Sequence, residues 1–328
     1  MDISIVIRNY NGRELMKSFL PSVIQSTKVY NGNCQIIVID DGSTDDSIAF
    51  LDKHFPGIKV IRNWPNSGNT IDPVNIGVKE SLYDIVVCLD TDVKVEEDFL
   101  MPLIKHFERS NVFAVAPKII SYRIKNGIES LTFPIFWRGR LRGFVPGMEG
   151  YSIEYNRSVP IFYAPGNAVA YRKSLFLSLK GEDTLFRPYY YEDIDICYRA
   201  WRRGFKTIYE PNSIVYHLSH ATIKNIVDPY KTEIIRNKNA LLFTWKNLMS
   251  PLLLVHHLFW LKLRLIKALV KKEKILFMAL AMAIKQIPEV IKGRKNIKDA
   301  RIKLSDRYLF NYFREVYHAL SGVRYQCF

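Results

Sequence analysis

The stretch IVVCLDTDVKVEEDF, residues 85–99, runs five apolar residues, Ile85 to Leu89, straight into two carboxylates, Asp90 and Asp92. An unbroken apolar run of this length reads as a strand covered on both faces, as in a parallel sheet flanked by helices. The acids fall where that strand ends, and ligands of such sheets bind at the carboxyl ends of the strands. Two readings of the pair stand side by side. They are turn and helix-capping residues on a solvated loop, or they converge on one Mg2+ or Mn2+, ions that prefer carboxylate oxygens.

The same theme recurs upstream. ISIVI (3–7) predicts a buried strand broken by NYNG, and RELMKSFLPSVIQST a helix with Leu15, Phe19 and Val23 on its apolar side and a possible bend at Pro21. Residues 34–39 predict a second buried strand that ends at Asp40 and Asp41, before a helix starting near Asp45 or Asp46. GIKVIRN predicts a third strand, and PNSGNTIDPVNIGVKES a loop entering a helix. Strands alternating with helices at this spacing predict an α/β domain with a mainly parallel sheet.

Downstream, VFAVAPKII predicts another strand, whereas 121–158 reads as a long insert whose Phe133, Phe136, Trp137 and Phe144 either cover substrate or close over core. The spacing of Ile194, Cys197, Tyr198 and Trp201 predicts a helix stopped by Gly204. Glu192, Asp193 and Asp195 then occupy its first turn, where acids are normal partners of the helix dipole. FKTIYE and SIVYH predict short strands, with His217 and His220 beyond them as ligands or as surface histidines.

An apolar fraction of 48% over 328 residues excludes wholesale disorder. The formal charge of +15 is regional, since Lys246 to Lys303 holds fourteen Lys or Arg against three acids. That region also contains two runs without Lys, Arg, Asp or Glu, at 247–261 and 275–284. Both fall short of the roughly 20 residues that span a bilayer, so they predict helices lying in an anionic membrane surface or packing on the rest of the chain. Long apolar runs suit a phosphate backbone poorly, which argues against a nucleic-acid partner. Cys34, Cys88, Cys197 and Cys327 lie at no metal-ligand or redox spacing; three of them read as buried thiols. MDISIVIRNYNG carries no basic leader, so a cytoplasmic protein, peripheral on the inner face of the cell membrane, is expected. No GKS or GKT phosphate loop and no GxGxxG after the first strand is present.

IVIRNYNG, VIDDGSTDDS, NSGNTIDPVNIGVKES, CLDTD, PGNAVAYRKSLF and YYYEDIDICYRAWRRG, in this order, resemble the family 2 glycosyltransferases, in the branch of bacterial rhamnosyltransferases of O-antigen and cell-surface polysaccharide synthesis. The resemblance implies a GT-A fold, an α/β architecture with a Rossmann-like, mainly parallel central sheet flanked by helices. It implies a catalytic domain at 1–245 and a basic amphipathic helical region at 246–328. Arg8 and Tyr10 then face the nucleotide, Tyr10 stacking on the base, while Asp41 reads the base edge and Asn66, Gly68 and Asn75 lie near it. Many relatives carry Phe where Asn69 stands, and many a small residue where Arg8 stands. Asp90 touches ribose or a metal-bound water, Asp92 binds Mg2+ or Mn2+, and His217 reaches the metal or diphosphate. Gly166 and Asn167 lie against the donor sugar; Asp193 is the base, and Glu192 and Asp195 orient it or touch acceptor hydroxyls.

The implied donor is a nucleoside-diphosphate sugar with a dTDP, UDP or GDP nucleotide, and the acceptor a saccharide or lipid-linked saccharide. A cation offsets charge on the leaving diphosphate while one carboxylate takes the acceptor's proton, and direct attack inverts the anomeric centre. A helix amino terminus is expected to keep Asp193 ionised near neutral pH. A metal-dependent nucleotidyltransferase would also use paired carboxylates and a nucleotide, and a basic nucleic-acid-binding protein is the non-enzymatic alternative.

Overall fold

The computed structural model describes residues 1–122, 127–149, 153, 156–218, 228–298 and 302–322. His220 and Cys327 lie outside these residues.

The first half alternates as its hydrophobic runs dictate: β1 (Ile3–Asn9), α1 (Arg13–Val29), β2 (Cys34–Asp40), α2 (Ser47–His54), β3 (Lys59–Arg62), α3 (Ile71–Glu80) and β4 (Ile85–Asp90). All of β1 is buried except Arg8, which is half-buried. Alternate residues enter opposite layers: Ile3, Ile5 and Ile7 face α1, whereas Val6 packs with Ile37, Ile39 and Cys88 toward α3. α1 runs through Pro21 and buries Met16, Leu20 and Val23, while Leu15 and Phe19 of the expected stripe are half-buried. Apolar residues occur in adjacent pairs there, so at Met16 and Leu20 the buried line falls one residue, or about 100°, from the expected one, and the two meet at Val23. Asp45 accepts from the Ser47 N–H (3.0 Å) and starts α2.

Beyond β4 the alternation stops. β5 (Val93–Val95), α4 (Leu100–Lys105), β6 (Val112–Ser121), β7 (Phe133–Trp137), β8 (Arg140–Phe144), β9 (Val159–Pro160), β10 (Ala168–Arg172), α5 (Lys173–Ser178), α6 (Glu192–Arg202) and β11 (Lys206–His217) follow. The main sheet runs β3-β2-β1-β4-β10-β6-β11-β5, with β9 beside β11. Pairings around β1 and β2 are parallel, as is β6 with β11; β10, β5 and β9 pair antiparallel. The sheet is thus mixed, with its parallel half in the region of regular alternation. FKTIYE and SIVYH form the single strand β11, with a register shift between Glu210 and Ile214. Gly204, at φ +85, ends α6 in a backbone state a side chain would strain.

Within the insert at 121–158, β7 and β8 form a hairpin. Phe133, Phe136 and Phe144 are buried in the larger core, and Trp137 is exposed. The chain ends in α7 (Pro229–Asn247), α8 (Pro251–Val270), α9 (Ile275–Lys285), α10 (Ile287–Lys298) and α11 (Asp306–Ser321). α7 runs across residues 245 and 246, and Leu253, Leu261, Ala283, Val290, Phe310 and Phe313 join the core built around Phe133, Phe162 and Trp201. Phe313 packs edge-on to Trp201 (5.1 Å) and Phe162 (5.6 Å). Cys88 and Cys197 are buried, and Cys34 is half-buried.

Candidate active site

Register assembles the site. Parallel pairing sets Asn9 beside Asp40 and Arg8 beside Asp90 at the carboxyl ends of β1, β2 and β4. The chain steps from β1 to β2 and β3 on one side, then to β4 on the other, so a crevice opens at this switch point. The cleft there has a volume of about 660 Å³ and is lined by Arg8, Tyr10, Asp41, Asp90, Asp92, Asp193 and His217 among others.

Arg8 is the tie at its floor. Its guanidinium bonds Asp90 Oδ1 (2.5 Å) and donates to the carbonyls of Thr70 (3.2 Å) and Gly166 (3.3 Å). Burial works against its charge, but Asp90, Glu182 and Glu192 together hold its pKa above the ordinary value. Asp90 is shifted upward, by burial first, with Arg8 opposing and Asp92 adding repulsion.

Asp41 accepts from Asn63 (2.5 Å), from Asn66 (3.1 Å) and from the Ser67 hydroxyl (2.7 Å). It thereby shapes the 63–68 loop while still facing the cleft. Asn66 and Gly68 belong to that loop, the Gly68 N–H donating to Asn66 Oδ1 (2.8 Å), and they do not line the cleft. Asn75 is elsewhere: its side chain donates to the Glu182 carbonyl (2.9 Å) and accepts from the Glu182 N–H (2.9 Å), pinning α3 to the 181–183 turn.

Asp92 and His217 meet through strand pairing. β5 starts directly after Asp92 and pairs antiparallel with β11, so His217 lies opposite Val93, and the Leu218 N–H donates to the Asp92 carbonyl (3.0 Å). His217 Nε2 stands 3.6 Å from Asp92 Oδ1, and its Nδ1 is 2.8 Å from Glu129 Oε2. Burial alone would lower the imidazole pKa, but Asp92 and Glu129 outweigh it and raise it to about 10. Asn167 donates to Glu129 Oε2 (3.0 Å), and its carbonyl accepts the Asp90 N–H (3.0 Å).

These residues fit a divalent cation of the kind that takes few protein ligands. At 3.6 Å, beyond hydrogen-bond reach, Asp92 Oδ1 and His217 Nε2 face one another and would each be able to ligate one ion between them. Glu129 on Nδ1 fixes the ring orientation and would aim Nε2 at such an ion. Among the described residues no group of three or more His, Cys, Asp or Glu is arranged to hold a metal ion, and an ion held by two protein ligands would complete its shell with substrate oxygens and water.

Across the cleft, Asp193 sits in the first turn of α6, its Oδ1 accepting the Ile194 N–H (2.7 Å). Burial first and Glu192 second push its pKa up to about 8, against the bonds from backbone N–H groups. The expectation that the helix terminus keeps it ionised is therefore reversed in the protein alone: the dipole is real, but desolvation is larger. Tyr190 and Tyr191, just before it, stand at φ +71 and +77, a region that costs bulky residues about 1–2 kcal/mol each. Asn239 of α7 holds this turn, its Nδ2 donating to the carbonyls of Phe186 (2.7 Å), Tyr189 (2.9 Å) and Tyr190 (2.8 Å).

The other two acids of that turn diverge. Glu192 lies beneath the cleft, accepting from Thr70 Oγ1 (3.0 Å), and burial raises its pKa. Asp195 is fully buried on the far side of α6, bonded to Lys246 (2.7 Å), Asn247 (2.7 Å) and Arg199 (2.7 Å). One helical step of two residues turns it about 200° from Asp193, so it is a partner of Lys246 and not a cleft residue. Sequence reasoning missed Glu129, Tyr163, Tyr190, Arg236 and Asn239. Arg236 lines the cleft with its guanidinium 4.8 Å from the Tyr190 ring centre. Glu129 lies in the irregular insert and Asn239 in a helix without motif, so neither carried a signal.

A β-sheet of this order with carboxylates at its switch point defines a GT-A-type α/β protein, and solved structures agree on the fold. GalNAc-T7 with UDP, GalNAc and Mn2+ superposes with a TM-score of 0.56 at 20% identity, over 71% of this chain and 48% of that one. Mannosyltransferase PcManGT from Pyrobaculum calidifontis, in complex with GDP-Man and Mn2+, gives 0.52 at 14% identity, over 87% and 75%. The chain belongs to Glycosyl transferase family 2, whose sequence profile matches residues 4–178. It is 26% identical to the pre-mycofactocin glycosyltransferase of Mycobacterium tuberculosis over 66% of its length, but spans only 42% of that protein. The Low-salt glycan biosynthesis hexosyltransferase Agl10 of Haloferax volcanii is also 26% identical, with 62% of each chain covered. Asp193 and His217 lie beyond the matched family segment.

Proposed function

We propose that the chain is an inverting, Mg2+- or Mn2+-dependent glycosyltransferase that moves a sugar from a nucleoside-diphosphate sugar to an acceptor hydroxyl. The observation that carries this reading is one cleft lined at once by the Asp92–His217 pair and by Asp193. Tyr10 and Asp41 take the nucleotide end, while Asp90 and Arg8 form the floor beneath it. Asp92 and His217 would hold the cation, which when bound offsets the charge gathering on the departing diphosphate.

Asp193 accepts the acceptor hydroxyl's proton as that oxygen bonds the anomeric carbon and the diphosphate leaves from the opposite face, inverting the centre. A carboxylate with a pKa of about 8 is a better base than an ordinary aspartate, at the cost of being protonated in much of the free protein. Glu192 tunes that value, and Asn239 positions the turn.

The resemblance to the rhamnosyltransferase branch suggests dTDP-rhamnose as donor, with UDP- and GDP-sugars compatible with every cleft residue named. A lipid-linked saccharide of surface polysaccharide synthesis suits the acceptor, at the cytoplasmic face of a membrane, with residues 1–245 as the catalytic part and 246–328 as the surface-seeking part. Among the described residues no helix is long and apolar enough to cross a membrane.

The test is a thermal-shift screen of nucleotide sugars with Mn2+, Mg2+ or chelator, followed by a transfer assay on the tightest binder. Cation-dependent stabilisation and release of a nucleoside diphosphate with sugar on the acceptor are expected. Release of pyrophosphate from a nucleoside triphosphate, with no sugar transfer, overturns the reading in favour of nucleotidyl transfer.

A further inference from the structure

α8 carries two apolar stripes. Leu253, His257, Leu261 and Ala268 are buried against the protein. On the opposite side Leu252, Val255, Phe259, Leu263, Ile266 and Val270 are each between 39% and 78% exposed. Steps of three and four residues hold all six on one face, along about 27 Å of helix. A contiguous exposed apolar row of this kind marks a contact surface.

Charge says what covers it. Lys262 and Lys267 are exposed beside the row, and Lys271, Lys272 and Lys274 follow at its end, with Glu273 the sole acid in 251–274. An apolar stripe edged by lysines matches anionic headgroups over acyl chains. The bases within α8 also forbid a transverse orientation.

The β7–β8 hairpin links this face to the cleft. Its tip rests on α8: His257 Nδ1 is 2.5 Å from the Gly139 carbonyl, and the Arg138 guanidinium stacks over both Trp137 (5.6 Å) and Trp260 (5.7 Å). Gly139, at φ +70, is needed there because a Cβ would meet the His257 backbone at 2.8 Å. Trp137, half exposed at the tip, is placed for the headgroup layer that aromatic side chains favour. Past the hairpin's other end, Val145, Met148 and Glu149 line the cleft.

From this we infer that α8 lies in the plane of an anionic bilayer surface on its outward stripe, with Trp137 among the headgroups, and that the hairpin runs from the lipid to the Val145–Glu149 wall of the cleft so that a membrane-held acceptor reaches the cleft along it. The seat itself stands on exposure and charge alone; the acceptor route rests on the glycosyltransferase reading above.

The experiment compares the full chain with a Val255→Asp, Phe259→Asp, Ile266→Asp variant on phosphatidylcholine vesicles with and without phosphatidylglycerol, by co-sedimentation. The full chain should partition onto the anionic vesicles and leave them as salt rises. The variant should lose about tenfold or more of that partition for the large side chains withdrawn from lipid, with unchanged Tm because none of the three faces the core. Trp137→Ala should weaken partition several-fold. Transfer to a soluble acceptor should be unaffected in both variants, while transfer to a lipid-linked acceptor in vesicles falls. Vesicle binding by the triple variant within twofold of wild type overturns the seat. So does light scattering that shows a dimer split by the same variant with no vesicle binding, which makes the stripe a contact between copies. Loss of soluble transfer in wild type with vesicle binding intact rejects the activity and leaves the seat standing.

Discussion

Replacing Asp193 by Asn should abolish transfer and make the protein more stable, and the second effect should depend on pH. The folded state holds the Asp193 proton up to about pH 8, whereas a free aspartate releases it at 3.8. Between those values the unfolded chain binds fewer protons than the folded one, so wild-type stability falls as pH rises through the window. The full shift corresponds to a ceiling of about 6 kcal/mol above pH 8. Cleft solvent reaches the carboxylate, and the bond from the Ile194 N–H is weakened by the change. Discounting for both leaves about 1–3 kcal/mol. At roughly 2 °C per kcal/mol for a chain of this size, the Asp193→Asn variant should melt about 2–6 °C above wild type at pH 8 and level with it near pH 4. Transfer should drop by about 10²–10⁴-fold with donor binding retained, as for loss of a general base. The assays are scanning fluorimetry across pH and product formation under saturating donor. A melting gap that stays flat with pH, or residual activity within tenfold of wild type, refutes the reasoning.

Other expectations concern the rest of the site. His217 is protonated at neutral pH in the protein alone because its pKa is about 10, so Mn2+ binding should release about one proton, read by calorimetry in buffers of different ionisation enthalpy; Glu129→Gln should reduce that release above pH 8, and none at all from wild type removes His217 as a ligand. Asp92→Ala should weaken cation-dependent donor binding, and full activity in excess chelator contradicts the role. Asn239→Leu removes the bonds that hold the Tyr190–Tyr191 turn; it should lower stability by about 2–3 kcal/mol and depress kcat more than KM. Asp195→Asn removes the buried carboxylate shared by Lys246, Asn247 and Arg199, while Lys246 keeps its ion pair with Asp183 (2.6 Å); it should cost about 1–3 kcal/mol, and a variant of wild-type stability without activity would instead return Asp195 to the catalytic group.

The parallel half of the sheet was legible because β1, β2 and β4 each carry an apolar run and end at Asn9, Asp40 and Asp90, and the polar loops after them lead toward helices. The mixed half was not: β10 and β5 are five and three residues long, and their direction is set by partners distant in sequence. Asp92 and Asp193 were readable as carboxylates at the end of a strand and the start of a helix. Their electrostatics were not, since the desolvation that raises Asp193 comes from packing that the sequence does not display. Asp195 shows the same limit: the three acids of EDID look alike in one dimension, and only the helical turn separates a cleft side chain from one locked to Lys246.

The pairing of β5 with β11 has a consequence for the order of assembly. Asp92 emerges from the ribosome long before His217, and the two come together only when a strand more than a hundred residues later closes against a three-residue edge segment. A nascent chain that ends before β11 has the loops after β1 and β2 but only one of the two residues proposed to hold the cation. If Asp92 and His217 hold the ion as proposed, Mn2+ binding should appear during synthesis or refolding only on closure of that sheet edge, making the ion a reporter of topological completion.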